Sequence, residues 1–95
     1  MPAYVIFIRE KTHDAAEIEA YRAAMVNGLE GVPVKMLAAY GPQVVLEGPV
    51  PEGVAIAEFP SAKAVTDWYY SPEYQRPLKH RLKGATYRAI IVESV

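Results

Sequence analysis

The sequence predicts an α+β domain in which two helical segments cover one face of a four-stranded antiparallel sheet. Four runs rich in β-branched and aromatic residues are separated by two amphipathic stretches, in the order β-α-β-β-α-β. The first run, residues 3–8, is apolar on both alternating faces, which is typical of a central strand covered on both sides. Two helices cover only one face of such a sheet. Because the other face also needs a cover, we expect a homodimer in which two sheets pack against each other.

Length and composition are those of one soluble globular domain over residues 1–95. The chain is 52% hydrophobic and 22% charged with a net charge of −1, which argues against nucleic acid or a membrane surface as a partner. It has no cysteine, so a disulfide scaffold and a thiolate metal site or nucleophile are excluded. No apolar run approaches the roughly 20 residues that span a bilayer. We expect a cytoplasmic protein, because residues 4–8 are too short a run for a signal sequence.

The first helix is predicted from its start signal and its apolar stripe. Asp14 and Glu17 have the spacing of a capping box, in which each side chain satisfies a backbone N–H at the helix start. Apolar residues then recur at three- and four-residue spacing as far as Leu29. Gly28 and Gly31 are expected to end this helix.

A hairpin is predicted to follow. Residues 34–40 form its first strand, which Gly41-Pro42 interrupts and residues 43–47 resume, because a proline within a strand indicates an edge or a bulge. The proline- and glycine-rich residues 48–53 predict a turn. Residues 54–59 form the second strand of the hairpin.

The last third of the chain predicts a broken helix and a final strand. Ser61 and Ser71 are expected N-caps, and Pro72 suits the first position of the second helical segment. Pro77 must disturb that segment locally. Residues 85–92 complete the sheet. The whole order is that of a ferredoxin-like domain, with the first and third strands at the centre of the sheet.

A set of short motifs is spread along essentially the whole chain. They are Asp14, Tyr21-Arg22, Leu46-Glu47-Gly48, Glu58-Phe59-Pro60-Ser61, Trp68-Tyr69, Ser71-Pro72-Glu73-Tyr74-Gln75, Leu78, Arg81 and the strand from Arg88 to Glu93. In these residues the chain resembles the domain-of-unknown-function 1330 family of the dimeric α/β-barrel superfamily. The resemblance implies a ferredoxin-like protomer that dimerises into a barrel with a cleft on each side, and it implies no particular reaction.

Two charged residues are candidates for chemistry. Glu58 lies near the end of a central strand, where partial burial would raise its pKa and make it a possible general base. The alternative is a structural salt bridge or a hydrogen bond to a tyrosine. Arg81 is the cation on the apolar side of its helix, and its guanidinium could bind a substrate carboxylate bidentately. It could equally neutralise Glu58 or Glu47.

Three aromatic residues are candidates for lining a ligand pocket. Trp68, Tyr69 and Tyr74 combine flat apolar surface with an indole N–H or a hydroxyl, which suits a planar or hydrophobic acid. At helical spacing such residues are more often core, and Trp68 fits the core better than the two tyrosines do.

No cofactor or metal is expected. His13 and His80 are the only histidines, and neither stands in a metal-ligand spacing. The chain also has no glycine-rich phosphate loop and no nucleophile elbow.

Three functions remain open on the sequence. The preferred one is binding of a small aromatic or acidic metabolite in a cleft beside the sheet. An alternative is a cofactor-independent enzyme of monooxygenase or isomerase type, with Glu58 as its base, which rests on analogy within the superfamily. The third is a non-catalytic structural or interaction dimer whose aromatic residues are all core.

Overall fold

A computed structural model describes residues 1–25 and 28–95 and confirms the predicted order of elements. The second helical segment is two helices, so the described residues contain three. None of the helices in the described residues is long and apolar enough to cross a membrane. The elements are β1 (Ala3–Thr12), α1 (Ala15–Met25), β2 (Lys35–Ala39), β3 (Gly53–Phe59), α2 (Ala62–Tyr69), α3 (Pro72–Gly84) and β4 (Ala85–Glu93).

The sheet has the ferredoxin-like order β2-β3-β1-β4, and every neighbouring pair is antiparallel. The predicted central position of the first and third strands is therefore confirmed. Val5 lies opposite Ala57 on one side and opposite Ile91 on the other, so these residues share a sheet face. We call this face, which packs against the helices, the helix-covered face. Ile6 lies opposite Ile56 and Ile90, and these residues point to the other face, which we call the open face.

The start of α1 is capped by Asp14, but the predicted capping box is only half formed. Asp14 Oδ1 accepts hydrogen bonds from the backbone N–H groups of Ala16, at 3.0 Å, and Glu17, at 3.4 Å. The Glu17 carboxylate contacts His80 Nδ1 at 2.7 Å instead of turning back to the cap. A partner on α3 thus replaces the local one. The expected helix through residues 26 and 27 lies outside the described residues, and residues 28–31 form a turn.

Gly84 allows α1 and α3 to approach closely. Its carbonyl oxygen accepts hydrogen bonds from the backbone N–H groups of His13, at 2.7 Å, and Asp14, at 3.0 Å. A Cβ atom at Gly84 would lie 2.8 Å from the Ile18 side chain and 3.0 Å from its backbone nitrogen. Any larger residue at this position would therefore push the first turn of α1 away from the end of α3.

The prediction that residues 43–47 resume strand two is wrong. Strand β2 ends at Ala39, and residues 41–51 form an irregular, exposed segment, which we call the arm. Tyr40 has a φ of 58° and Gly41-Pro42 follows, so the chain leaves the sheet here. Within the arm, Val44 is 86% exposed and Leu46 is 90% exposed. Their β-branched and aliphatic pattern resembles a strand although no neighbouring strand pairs with it in the described chain.

Both predicted serine caps are present, and Ser71 also joins two helices. Ser61 Oγ accepts a hydrogen bond from the backbone N–H of Ala64 at 3.1 Å. Ser71 Oγ accepts from the N–H of Tyr74 at 3.4 Å and donates to the carbonyl of Trp68 at 2.6 Å. One hydroxyl therefore caps the start of α3 and the end of α2. This contact fixes the angle at which Trp68 and Tyr74 enter the core.

We expect Ser71→Ala to lower the free energy of unfolding by about 1 kcal/mol, because the substitution removes an N-cap and leaves the Trp68 carbonyl with only its backbone donors. Urea unfolding followed by Trp68 fluorescence measures the change. The control is Ser94→Ala, whose hydroxyl contacts only the adjacent carbonyl of Val95 at 3.4 Å. Equal stability of the two variants would show that the Ser71 cap contributes nothing.

Candidate functional site

An apolar cavity of about 190 Å³ lies between α1 and the helix-covered face of the sheet. An engineered apolar cavity of about 150 Å³ holds benzene, so this one has room for a single substituted ring. Its lining is mostly aliphatic and aromatic, with a few polar groups. The lining residues are Val5, Phe7, Arg9, Ile18, Tyr21, Arg22, Met25, Leu29, Val34, Met36, Tyr40, Ala55, Ala57, Phe59, Trp68 and Tyr87.

The cavity exists because the strand beneath it carries small side chains. On β3, Ala55 and Ala57 are buried on the helix-covered face, each only 3% exposed. Large rings fill the space beyond them, since the Trp68 ring lies 5.4 Å from that of Phe59 and 4.1 Å from that of Tyr74. No side chain of residues 1–25 or 28–95 fills the space directly above the two alanines.

Two tyrosines close one end of the cavity through their hydroxyls. The hydroxyl oxygens of Tyr40 and Tyr87 are 2.8 Å apart, and we call this pair the tyrosine bridge. It reaches from the end of β2 across the sheet to β4. The ring of Tyr40 lies over Gly53, where an added Cβ atom would come within 2.6 Å of Tyr40 Cδ1. The left-handed backbone of Tyr40 and the missing side chain of Gly53 together allow this placement.

Each ring of the tyrosine bridge carries an arginine over its face. The guanidinium carbon of Arg9 lies 5.0 Å from the Tyr40 ring centre, and that of Arg81 lies 4.6 Å from the Tyr87 ring centre. Arg81 also lies 5.5 Å from the ring centre of Phe7 and 6.0 Å from that of Tyr21. These are distances at which an aromatic face attracts a cation.

The two arginines differ in their ionic partners. Arg9 Nε lies 3.2 Å from Glu52 Oε1, whereas Arg81, only 3% exposed, has no carboxylate within 4.0 Å among residues 1–25 and 28–95. The aromatic rings and the carboxyl end of α3 provide the negative potential that surrounds the Arg81 charge. Arg81 is therefore the uncompensated cation of the site.

A second tyrosine pair lies beside Arg81. The hydroxyl oxygens of Tyr21 and Tyr74 are 2.9 Å apart, and Tyr74 is fully buried. Burial raises the pKa of the Tyr21, Tyr40 and Tyr74 phenols, and the arginine charges oppose this increase only in part. All three hydroxyls consequently stay protonated at neutral pH.

The structure brings together four of the five site residues named from sequence. Trp68 lines the cavity, and Arg81 and Tyr74 lie directly behind its wall, against Tyr21. The ring of Tyr69 lies 5.3 Å from that of Tyr74, but Tyr69 faces a separate groove between α2 and β4 that it lines with Tyr70. The roles of these residues in binding stay predictions.

Glu58 lies on the open face, away from Arg81. In register it stands between Tyr4 of β1 and Lys35 of β2, and the burial pattern of β3 alternates so that its neighbours Ala57 and Phe59 face the helices. The alternative in which Arg81 neutralises Glu58 is therefore wrong, because adjacent strand residues point to opposite sheet faces. Its role as a general base stays a prediction, and the cavity geometry offers it no support.

Sequence reasoning missed five polar residues that line the site, namely Arg9, Tyr21, Arg22, Tyr40 and Tyr87. Arg9 and Tyr87 occupy helix-covered positions of β1 and β4, directly opposite each other in register. A strict alternation count from Val5 and Ile91 could have placed both. Tyr40 follows its strand in a left-handed conformation, which no alternation count anticipates. Among the described residues, no group of three or more His, Cys, Asp or Glu side chains could hold a metal ion.

Comparison with known proteins identifies a family and a fold. A family model described as a domain of unknown function, DUF1330, matches residues 2–95. No curated protein matches the chain. Among solved structures, a protein of unknown function from Rhodopseudomonas palustris has a TM-score of 0.78 and 22% identity, over 99% of this chain and 82% of its own.

Two further structures resemble this chain in fold. A protein from Jannaschia sp. CCS1, described as dimeric, ferredoxin-like and of unknown function, has a TM-score of 0.74 and 12% identity, over 99% of this chain and 100% of its own. A cofactor-independent oxygenase from Streptomyces nogalater has a TM-score of 0.59 and 11% identity, over 99% of this chain and 92% of its own. These likenesses show a shared ferredoxin-like fold.

Because several tyrosine phenols are buried, we expect the free energy of unfolding to fall at alkaline pH. Above a pH of 10.0, the ordinary pKa of a tyrosine phenol, Tyr21 in the unfolded chain loses its proton while burial keeps it protonated in the folded one. The free energy of unfolding then falls as pH rises, by up to about 1.4 kcal/mol per pH unit for each such group. We expect Tyr21→Phe to make this fall shallower.

Urea unfolding at pH values from neutral to strongly alkaline measures the slope. The control is Tyr70→Phe, because Tyr70 is 72% exposed and its removal should leave the slope unchanged. If Tyr21→Phe and the unmodified chain lost stability at the same rate, the Tyr21 phenol would not be protected by burial.

Proposed function

This chain belongs to the DUF1330 family, and on that premise we propose that it is a single-domain homodimer that binds a small aromatic or acidic molecule in the cavity beside its sheet. The observation that carries the proposal is the cavity itself. It holds about 190 Å³ of space between α1 and the sheet. It opens to solvent beside the half-exposed side chains of Met36 and Tyr40, and largely apolar clefts of this kind are the usual sites of small-molecule binding.

The polar groups at the cavity support an acidic or aromatic ligand. Arg9, Tyr21 and the tyrosine bridge place hydrogen-bond donors at the edge of an otherwise apolar lining. Binding sites for small molecules commonly combine an apolar wall with a few convergent polar groups. Trp68 and Phe59 supply aromatic surface for stacking.

A cofactor-independent enzyme of monooxygenase or isomerase type is the second candidate. Its support is the shared fold with the cofactor-independent oxygenase from Streptomyces nogalater. The described residues that line the cavity include no carboxylate and no imidazole, so the lining offers no ordinary general base. This favours binding over proton-transfer catalysis by the protein. A purely structural dimer is the third candidate, and the unfilled cavity argues against it.

The proposed dimer buries the open face of the sheet. Ile6 stands there in register with Ile56 and Ile90, and Ile8 with Val54, so the face is apolar along its centre. Ile90 remains 43% exposed in a single protomer. The related protein from Jannaschia sp. CCS1 is described as dimeric. A second copy that covers this face would remove its apolar surface from water, which stabilises by about 25 cal/mol per Å².

We expect toluene to raise the melting temperature of this protein, because a ligand that binds only the folded state stabilises it. At one hundred times its Kd, a ligand adds about 2.7 kcal/mol to the free energy of unfolding, which is on the order of 10 °C for a domain of this size. Ala57→Leu should abolish the effect, since the larger side chain fills the cavity. Differential scanning calorimetry measures both.

The matched control is Ala89→Leu. Ala89 belongs to the groove beside α2 and does not line the cavity, so this variant should respond to toluene like the unmodified chain. A milder variant, Ala57→Val, keeps the test informative if the leucine prevents folding. Absence of any shift with toluene at saturation in the unmodified protein would overturn the proposal.

We expect Ile6→Lys to convert the dimer to a monomer, because it buries a charge at the centre of the open face. Sedimentation equilibrium at micromolar concentration measures the mass. Ala23→Lys adds the same charge at an exposed position of α1 and should leave the dimer intact. A monomeric mass for the unmodified protein would contradict the dimer directly.

A further inference from the structure

Two buried side-chain nitrogens in the described part of the chain, Arg81 Nε and Trp68 Nε1, have no partner, and both are hydrogen-bond donors. A third buried donor, Arg9 Nε, makes no well-aligned hydrogen bond and has only the Glu52 carboxylate at 3.2 Å. Arg9 and Trp68 line the cavity, and Arg81 lies behind the rings of Tyr87 and Phe7 that line it. Native proteins leave few buried polar groups unpaired. A set of donors without acceptors therefore indicates a ligand that brings acceptor oxygens.

The charges around the cavity leave one positive charge without a counter-ion. Arg9 has Glu52 at 3.2 Å, and exposed Arg22 has Glu19 at 3.4 Å. Arg81 has no carboxylate within 4.0 Å in the described residues. Because Arg81 is buried, water screens its charge poorly, and its field extends into the cavity through the aromatic wall.

The tyrosine bridge presents a free donor to the same space. Its two hydroxyls have two hydrogens, and the contact between the oxygens of Tyr40 and Tyr87 uses only one of them. The remaining O–H can donate to a ligand. Burial raises the pKa of the Tyr40 phenol, so the hydroxyl remains a donor at neutral and mildly alkaline pH.

Polar groups reach the cavity from several elements of the fold. Arg9 comes from β1, Tyr40 from the end of β2, Tyr87 from β4, and Trp68 from α2, with Arg81 and Tyr74 of α3 behind them. Helix α1 contributes Tyr21 and Arg22. Two carboxylates of the described residues pair with these cations. Glu52 is engaged by Arg9 and by the backbone N–H of Thr12 at 2.9 Å, and Glu19 lies 3.4 Å from Arg22. Apart from these carboxylates, every one of the groups named here is a cation or a hydroxyl or indole donor.

We propose that the cavity selects single-ring aromatic molecules that carry one ionisable oxygen group, and binds that oxygen as an anion at the tyrosine bridge. This inference rests on the proposed function and specifies the ligand class. A phenol bound in this way would lose its O–H proton to solvent, since the described lining contains no base to receive it. Phenols are the informative members of the class, because carboxylic acids are ionised at neutral pH whether bound or free.

The test uses 4-nitrophenol, whose phenolate absorbs visible light and whose neutral form does not. Titration of the bound probe by absorbance should give a pKa about 1–3 pH units below that of the free probe, the range that an adjacent opposite charge produces. Toluene, which has no ionisable group, serves as the parallel probe of the cavity alone.

Two variants separate the anion site from the cavity. Arg81→Met should remove most of the pKa lowering of bound 4-nitrophenol, and toluene affinity measured in parallel reports any change in the cavity itself. The double variant Tyr40→Phe/Tyr87→Phe keeps both rings and removes both hydroxyls of the tyrosine bridge, so it should act in the same direction. The control is Arg88→Met, because Arg88 pairs with Glu10 at 2.6 Å and stands in register with Ile8 on the open face.

Each outcome has a distinct meaning. A lowered pKa that Arg81→Met or the double variant Tyr40→Phe/Tyr87→Phe restores would support the inference. A bound pKa at or above the free value, or toluene binding without nitrophenol binding, would overturn the inference and leave the proposed function intact. A lowered pKa that neither variant changes would also overturn it. Absence of binding by both probes would reject the proposed function itself.

Discussion

The burial of the Arg81 guanidinium constrains the rest of the site. The residue is 3% exposed and has no carboxylate within 4.0 Å in the described chain. Removing one cation from water costs several kcal/mol, and here the rings of Phe7, Tyr21 and Tyr87 face it from β1, α1 and β4. Each such contact contributes about 0.5–2 kcal/mol. The Arg81 charge is therefore stabilised by aromatic rings from three different elements.

The helix-covered side of the sheet has a closely packed part and a part that contains the cavity. Trp68, Tyr74 and Phe59 pack closely on one side, whereas Ala55 and Ala57 leave space under α1. Larger residues at the two alanines would fill the space and bring the polar groups into contact with aliphatic atoms. The site thus combines two costly features, a void and an uncompensated cation. Both occur at the same end of the same sheet face, which is the expected pattern of a binding site.

The fold was largely predictable because its signals are local. Apolar runs, the caps at Asp14, Ser61 and Ser71, and the two-sided character of β1 all depend on neighbours in sequence. The errors arose where a distant contact replaced a local one. Glu17 contacts His80 instead of completing its capping box, and the run at residues 43–47 has strand-like residues but no partner strand in the described structure.

The sequence by itself determined the order of elements, the helix caps and the central strands. It also indicated Arg81 and Trp68 as candidate site residues. Only the tertiary structure decided which side chains meet. It placed Glu58 on the opposite face of the sheet from Arg81 and joined Tyr40 to Tyr87 across 47 positions of sequence. The physical reason is that helix and strand periodicities fix the face of each residue within its own element, whereas register and backbone conformation between elements decide what lies opposite.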